Sequence, residues 1–326
     1  MHLVLDTKGI NMQVRNACFY LKTDKHERII NPHKISSISV LSQCWLSSSA
    51  IRLAVQHRIP IYFHNGLGNI EARLWSASFG HLATNRRQQV LFSTACQATE
   101  WIISLFDYKA QEQIKNLRYL KSRKTAQADP IEKAIEQITG KITDLHTHKT
   151  QRLSDCAASV MGKEGAIARC YWQALTLCMP DNMQFDNRNR RPAHDNFNAA
   201  LNYLYGMLYG VIENALFTVG LDPYLGLLHA DEYNQPTLAF DMIEPFRPWA
   251  DRLLLEAILK SEMKDSFFEP RNEGIWLSKA GKQFFIPRFD SFFAEKTIFR
   301  NKTLSRNAQI YRIAGDFLEI LNNFTE

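Results

Sequence analysis

The residue pattern predicts a two-domain α+β protein, with a small β-rich N-terminal domain at 1–80 followed by a mainly α-helical domain at 81–326. Three observations lead there. Short runs rich in β-branched and aromatic residues, separated by polar turns, fill the first 80 or so residues. From about Arg86 the apolar residues recur at helical intervals over much longer stretches. Between the two regimes, SASFGHLAT at 76–84 has the small and polar residues of a linker.

In order along the chain, strands are expected at 2–5, 13–21, 34–40, 59–63 and 69–75. One helix interrupts them: Ser47, Ser48 or Ser49 can cap a turn through Ile51, Leu53, Ala54 and Val55. Pro60 then belongs at the start or edge of the following strand, since it has no N–H to give a ladder. Gly66 and Gly68 loosen the end of the sheet region.

In the second regime, QQVLFSTACQATEWIISLFDYKAQEQIKNLRYLKSR reads as helix, as do the stretches around 152–178 and 195–219. Near the end, GIWLSKAGKQFFIP reads as a hairpin with KAG as its turn. Helical periodicity returns in SFFAEKTIFR and AQIYRIAGDFLEILNNF, where Phe317, Leu318 and Leu321 form a packing stripe.

Composition narrows the function. A 326-residue chain with 45% hydrophobic residues can bury a large core, so disorder is not the expectation. A net charge of +6 favours a polyanionic partner without locating it. Cys18, Cys44, Cys96, Cys156, Cys170 and Cys178 lack CxxC or finger spacing, which points to free thiols in a reducing compartment. The start, MHLVLDTKGINMQVRN, turns polar too soon to resemble a signal peptide, and no run reaches the roughly 18 apolar residues of a membrane span. A glycine-rich phosphate loop, a catalytic serine elbow and an HExxH motif are all absent from the sequence.

Candidate chemistry gathers in GLLHADEYNQPTLAFDMIEPFRP. Asp241 and Glu244 are three apart, so on a helix they share a face and can share a cation, and Pro245 suits a helix entrance. Helix-end electrostatics is the alternative. His229 can return an imidazole nitrogen to the same place, or be a satisfied loop or core histidine. Glu164 lies beside Gly162 and Gly165 near the start of an apolar stripe, where a third metal-binding side chain competes with an N-terminal charge role or a surface salt bridge. If Glu164, His229 and Glu244 converge, they can hold Mg²⁺ or Mn²⁺ with positions left for water and phosphate. The basic run Lys115, Arg118, Lys121, Arg123, Lys124 reads equally as a solvated helix face. NRNRRP, with Arg188, Arg190 and Arg191, is a compact loop between helices suited to phosphate.

The ordered motifs GKEGAIARCYW, RNRRPAHDNFNAALNYLYG and GLDPYLGLLHADEYNQPTLAFDMIEPFRP, with the late helical segment, resemble the CRISPR-associated integrase and endonuclease family that inserts new spacers. The match covers essentially the whole chain, its N-terminal part chiefly through the succession of short strands. The resemblance implies a β-rich dimerisation domain at 1–80 and a metal-dependent catalytic and DNA-binding domain at 81–326. It places Glu164, His229 and Glu244 as ligands of Mg²⁺ or Mn²⁺, Asp241 as a supporting acid able to approach the metal, and Arg247 near the scissile phosphate. Glu244 stands where some relatives carry aspartate, one methylene shorter.

The same resemblance gives Arg191, Pro192, Asp195, Asn198, Asn202, Tyr203 and Tyr205 the work of shaping the site and touching DNA, with at most one of the two tyrosines facing the site. Packing and capping are the alternative for Asn198 and Asn202, which share a helical face. Arg86, Arg87 and Gln89 fall where relatives meet DNA, and Arg306 and Gln309 match family positions. The implied activity is metal-assisted transesterification, in which the 3′-hydroxyls of a prespacer attack phosphodiesters of the repeat array; water in their place would give endonuclease activity. The implied assembly is a homodimer with a small CRISPR-associated adaptation partner, prespacer DNA and repeat-array DNA, in the cytoplasm of a prokaryotic cell and away from membranes. The competing reading is a noncatalytic DNA-binding scaffold.

Overall fold

The computed structural model describes residues 2–23, 26–35, 37–64, 70–74, 82–190, 192–229, 235–271 and 274–325. It comprises two compact units, Met1–Gly80 and His81–Glu326. The first is β-rich and the second mainly helical, an α+β architecture. The expected linker at 76–84 falls largely outside the described residues.

The first unit holds β1 (His2–Leu5), β2 (Asn11–Arg15), β3 (Cys18–Lys22), β4 (Glu27–Ile30), β5 (Ser37–Val40), β6 (Trp45–Leu46), α1 (Ser48–Gln56), β7 (Ile61–His64) and β8 (Ile70–Leu74). They form two four-stranded sheets, ordered β1-β5-β7-β8 and β4-β3-β2-β6. β5 and β7 run parallel, which requires a crossover, and α1 supplies it. Ser47 caps α1 by accepting the Ala50 N–H at 3.1 Å. The single strand expected at 13–21 is instead a hairpin, because Asn16 and Ala17 take φ of 51° and 55° and turn the chain between Arg15 and Cys18. Likewise the strand expected from 34 begins only at Ser37, since Asn31 caps a 3₁₀ turn over Pro32–Lys34. Met12, Phe19, Ile38 and Ile61 are fully buried in this unit's core.

The second unit comprises α2 (Leu82–Ser93), α3 (Cys96–Lys121), α4 (Ala128–Leu145), α5 (Leu153–Thr176), α6 (Asn196–Val219), α7 (Thr237–Ile243), α8 (Arg247–Leu259), β9 (Phe268–Arg271), β10 (Gly274–Leu277), α9 (Lys279–Ala294), β11 (Lys296–Phe299), β12 (Lys302–Ser305) and α10 (Arg306–Asn323). One apolar core joins them, with α3 running through its middle. α3 buries an apolar stripe, yet Lys109, Gln113 and Asn116 are buried on it as well. Their spacing of four and three puts them on one face, and that face meets the candidate site.

Two expectations in this unit are overturned. The hairpin expected in GIWLSKAGKQFFIP does not form: only Gly274–Leu277 is a strand, and it pairs backwards with Phe268–Arg271. Ser278 Oγ accepts the Gly281 N–H at 3.2 Å, so KAG is the first turn of α9 and not a β-turn. Gly281 is required there, because a Cβ would lie 2.5 Å from the Phe267 carbonyl oxygen. The helix expected across SFFAEKTIFR ends at Ala294; the remainder is β11, paired with β12 through Arg300 and Asn301 at positive φ. The six cysteines are all free thiols.

Candidate active site

Two carboxylates from different helical segments meet at one ammonium. Glu164 lies in the middle of α5, which begins eleven residues earlier at Leu153, so an N-terminal charge role does not apply to it. Glu244 opens a 3₁₀ turn, Glu244–Phe246, that joins α7 to α8. Pro245 sits in the first turn, where its missing N–H leaves no bond unmade. Lys109 Nζ lies 2.5 Å from Glu164 Oε1 and 2.5 Å from Glu244 Oε2. The second Glu244 oxygen accepts from Arg247 Nε at 2.8 Å. Burial alone would raise the Glu244 pKa, but the charges of Arg247 and Lys109 outweigh it and hold the group at about 2.

Asp241 does different work from Glu244 although the two are one turn apart. Its side chain is wholly buried. Its Oδ2 accepts the N–H groups of Leu227 and Leu228 at 2.7 and 3.2 Å, and its Oδ1 accepts the His229 N–H at 3.3 Å. His229 Nδ1 lies 2.6 Å from the same Oδ1. An ionised carboxylate only accepts, so Nδ1 carries the proton and Nε2 is the ring atom left for a ligand. The Asp241 bond raises the imidazole pKa against burial, with further help from the Asp241 and Glu244 charges. The two acids, expected to share a face, take different partners here: Asp241 bonds the His229 segment, and Glu244 bonds Lys109 and Arg247.

Glu164, His229, Glu244 and Arg247 line one cavity of about 250 Å³, together with Lys109, Arg188 and Arg190. Arg188 donates to Asn198 Oδ1 at 2.8 Å and Asn202 Oδ1 at 2.6 Å, and its guanidinium lies 5.2 Å from the Tyr205 ring centre. Asn202 also donates to the Arg190 carbonyl, so its amide shapes the arginine loop from within. Asp195 caps α6 through the Asn198 N–H at 2.7 Å. Arg190 is exposed at the cavity rim, and Arg191 lies outside the described residues.

Arg86 and Arg87 are exposed residues of α2 that do not line the cavity. Arg86 pairs with Asp222 at 2.7 Å, and Gln89 bridges the Asp222 backbone. Of the tail residues, Gln309 bonds Thr297 and the Leu304 carbonyl, and Arg306 bonds the Phe292 carbonyl, which fixes α10 to its neighbours.

Sequence reasoning missed Lys109 and Asp251. Asp251 on α8 is 1% exposed and accepts the Tyr205 and Tyr171 hydroxyls at 2.7 and 3.1 Å. Burial raises its pKa to about 6 even though both hydroxyls favour the charged form. Lys109 stands in a polar line with Gln113 and Asn116 on an otherwise apolar helix face, a pattern that becomes legible only once the fold shows which face of α3 is buried.

Among the described residues, no three carboxylate, imidazole or thiol groups form a ready cage for a metal. The donor chemistry nonetheless fits a hard divalent cation: two carboxylates and an imidazole nitrogen border the same cavity. The point shared by the carboxylates already accommodates one positive charge, the Lys109 ammonium.

A helical unit that gathers carboxylates, an imidazole and arginines around one cavity has the donor set of enzymes that act on phosphodiesters, and comparison with known proteins gives the family. The sequence model of the CRISPR associated protein Cas1 family matches residues 3–291. The chain belongs to the Cas1 family, the endonuclease-integrases of CRISPR adaptation. It is 27% identical over 333 residues to CRISPR-associated endonuclease Cas1 1 of Archaeoglobus fulgidus, covering 98% of this chain and 96% of that one. A CRISPR-associated endonuclease Cas1 1 of Saccharolobus solfataricus is 31% identical over 237 residues, 69% of this chain and 61% of its own. The fold is shared with a Cas1 protein from Thermotoga maritima (TM-score 0.77, 20% identity, both chains covered fully). It is shared also with a casposase bound to integration product (TM-score 0.79, 22% identity, 100% of this chain and 91% of the other). Family membership carries a role in spacer integration and DNA processing, with metal-dependent chemistry in general. Among the described residues no helix is long and apolar enough to cross a membrane.

Proposed function

We propose that this chain joins the 3′-hydroxyl ends of prespacer DNA to phosphodiesters of a CRISPR repeat array, with Glu164, His229 and Glu244 as the metal-binding side chains. The observation that carries this is their convergence, with Arg188, Arg190 and Arg247, on one cavity. In the reaction the hydroxyl oxygen forms a new P–O bond, the bond to the leaving 3′-oxygen breaks, and the proton lost by the attacker is balanced by one gained at the leaving oxygen. Bound Mg²⁺ or Mn²⁺ supplies Lewis-acid stabilisation of the phosphate charge and favours the ionised hydroxyl.

The chain's own residues bind and orient. Asp241 fixes the His229 ring so that Nε2 serves as a ligand, and His229 is then not a general base. Arg247, held by Glu244 and by the Tyr209 hydroxyl at 2.7 Å, presents positive charge to the phosphate or leaving oxygen. Arg188 and Arg190 extend that field along the loop, with Arg191, Arg86 and Arg87 as further DNA contacts. Asn202 acts on DNA through Arg188, by holding it. Water entering in place of the hydroxyl gives cleavage.

The working assembly in this reading is a homodimer, paired through the β-rich unit, with a small adaptation partner. A chain of similar fold belongs to a Cas6-RT-Cas1–Cas2 complex (TM-score 0.76, 18% identity, 99% of this chain and 35% of that one). The test is joining of labelled, partly duplex DNA with free 3′-hydroxyls into a repeat-bearing plasmid, with the partner and either Mn²⁺ or EDTA. Joining is expected only with metal and is lost in Glu164→Ala and His229→Ala. Joining retained by both variants, each folded, overturns the site; binding without joining under any metal returns the chain to a scaffold.

A further inference from the structure

Lys109 occupies the position at which Glu164 and Glu244 would both grip a cation. Its ammonium is 2.5 Å from one oxygen of each, and the other Glu244 oxygen belongs to Arg247. Glu244 is buried and Glu164 half-buried, and their two negative charges are matched by two positive ones supplied by the chain itself. Such a pair of carboxylates keeps its geometry without an outside ion, because removing the partner of a buried charge is strongly unfavourable. A dication held by the same two carboxylates would compete with the ammonium for their negative charge and would repel it. Metal binding at these carboxylates would then require Lys109 to move.

The structure offers a place for it. Gln113 lies one turn further along the same face of α3 and lines the same cavity. Its Oε1 is buried and, among the described residues, has no hydrogen-bond partner. We propose that Lys109 is an exchangeable internal counter-cation: a divalent ion displaces its ammonium from Glu164 and Glu244, and the ammonium turns to Gln113 Oε1 and the cavity. The inference rests on the metal reading given above, and it makes Lys109 a positioning residue that sets how tightly the ion is held.

The experiment is Mn²⁺ titration of the full-length protein without DNA, followed by calorimetry and by melting temperature, for the unaltered chain, Lys109→Met and Glu164→Ala. Lys109→Met should bind Mn²⁺ about tenfold more tightly or better, since the competing charge is gone. In EDTA it should melt below the unaltered chain, and Mn²⁺ should raise its melting temperature by the larger increment. Mn²⁺ binding lost in Glu164→Ala but unchanged or weakened in Lys109→Met overturns the exchange and leaves the metal site standing. Binding that is equal in all three proteins brings down both readings, for then no ion enters between these carboxylates.

A second measurement needs no variant. Amine acylation of the unaltered chain, read at Lys109 by peptide mass spectrometry, should be slow in EDTA and rise with Mn²⁺. Labelling of Lys109 that does not respond to Mn²⁺, in a protein that binds the ion, also overturns the exchange.

Discussion

At the scale of single residues, Asp241 and Asp251 show how a buried carboxylate can have opposite characters. Asp241 is surrounded by N–H donors from Leu227, Leu228 and His229. Asp241→Asn keeps the volume but turns one acceptor into a donor facing those groups. It should cut the joining rate by about 10- to 100-fold through loss of the fixed imidazole, which single-turnover assays at saturating Mn²⁺ would measure. Asp251 has only two hydroxyl donors, and burial wins, raising its pKa from an ordinary 3.8 to about 6. Between those values the folded chain retains the proton and the unfolded chain has lost it. Its contribution to stability is thus complete below the lower value and is lost as pH rises through the higher one. The difference in unfolding free energy between the unaltered chain and Asp251→Asn should change by roughly 3 kcal/mol across that window, as denaturant melts at a series of pH values would show. The motif residues Glu164, His229 and Glu244 could be singled out from sequence because their local segments were distinctive. Lys109 could not, since one lysine in a 26-residue helix resembles any solvated position until the tertiary fold buries it.

At the scale of elements, the position of the imidazole depends on how closely the chain before it approaches α7. The Gly226 N–H is accepted by Thr237 Oγ1 at 2.9 Å, and a Cβ at Gly226 would lie 2.7 Å from both the His229 carbonyl oxygen and Thr237 Cβ. Gly226→Ala should therefore destabilise by about 1–3 kcal/mol as an overpacked site and lower Mn²⁺ affinity with it, checked by melting and titration of the same sample. Long amphipathic helices such as α5 and α6 were legible from periodicity, and the N-cap of α1 from its serines. The hairpin reading of 274–287 failed because Ser278, a cap, and Gly281, demanded by packing against Phe267, imitate turn residues, while the phenylalanines that follow are apolar in either structure. β11 was hidden for a related reason: four residues hold too few periods to distinguish strand from helix.

For the whole molecule, the net charge of +6 was legible at once, but not its placement. Lys109 is paired with Glu164 and Glu244 and Arg86 with Asp222, while Arg247 is buried in the cavity wall, so exposed Arg190 at the rim weighs more than these in the long-range attraction of DNA. Affinity for DNA should fall steeply with salt, and Arg190→Ala should reduce the slope of log affinity against log salt by about 1. Arg188→Ala should do more, since it also releases Asn198 and Asn202, and its melting temperature should fall where that of Arg190→Ala does not. Fluorescence anisotropy over a salt series, paired with thermal melts, separates these outcomes. The division into a β-rich and a helical part was visible in the change of period near residue 80, because strand and helix patterns differ most when many short runs give way to long ones.

The grip of Asp241 on three successive N–H groups has a practical corollary. It ties Leu227, Leu228 and His229 directly to α7 across twelve to fourteen residues of sequence. Loss of that tie in Asp241→Asn should release the three amides together, so deuterium uptake at Leu227, Leu228 and His229 reads the seating of the imidazole without any activity assay.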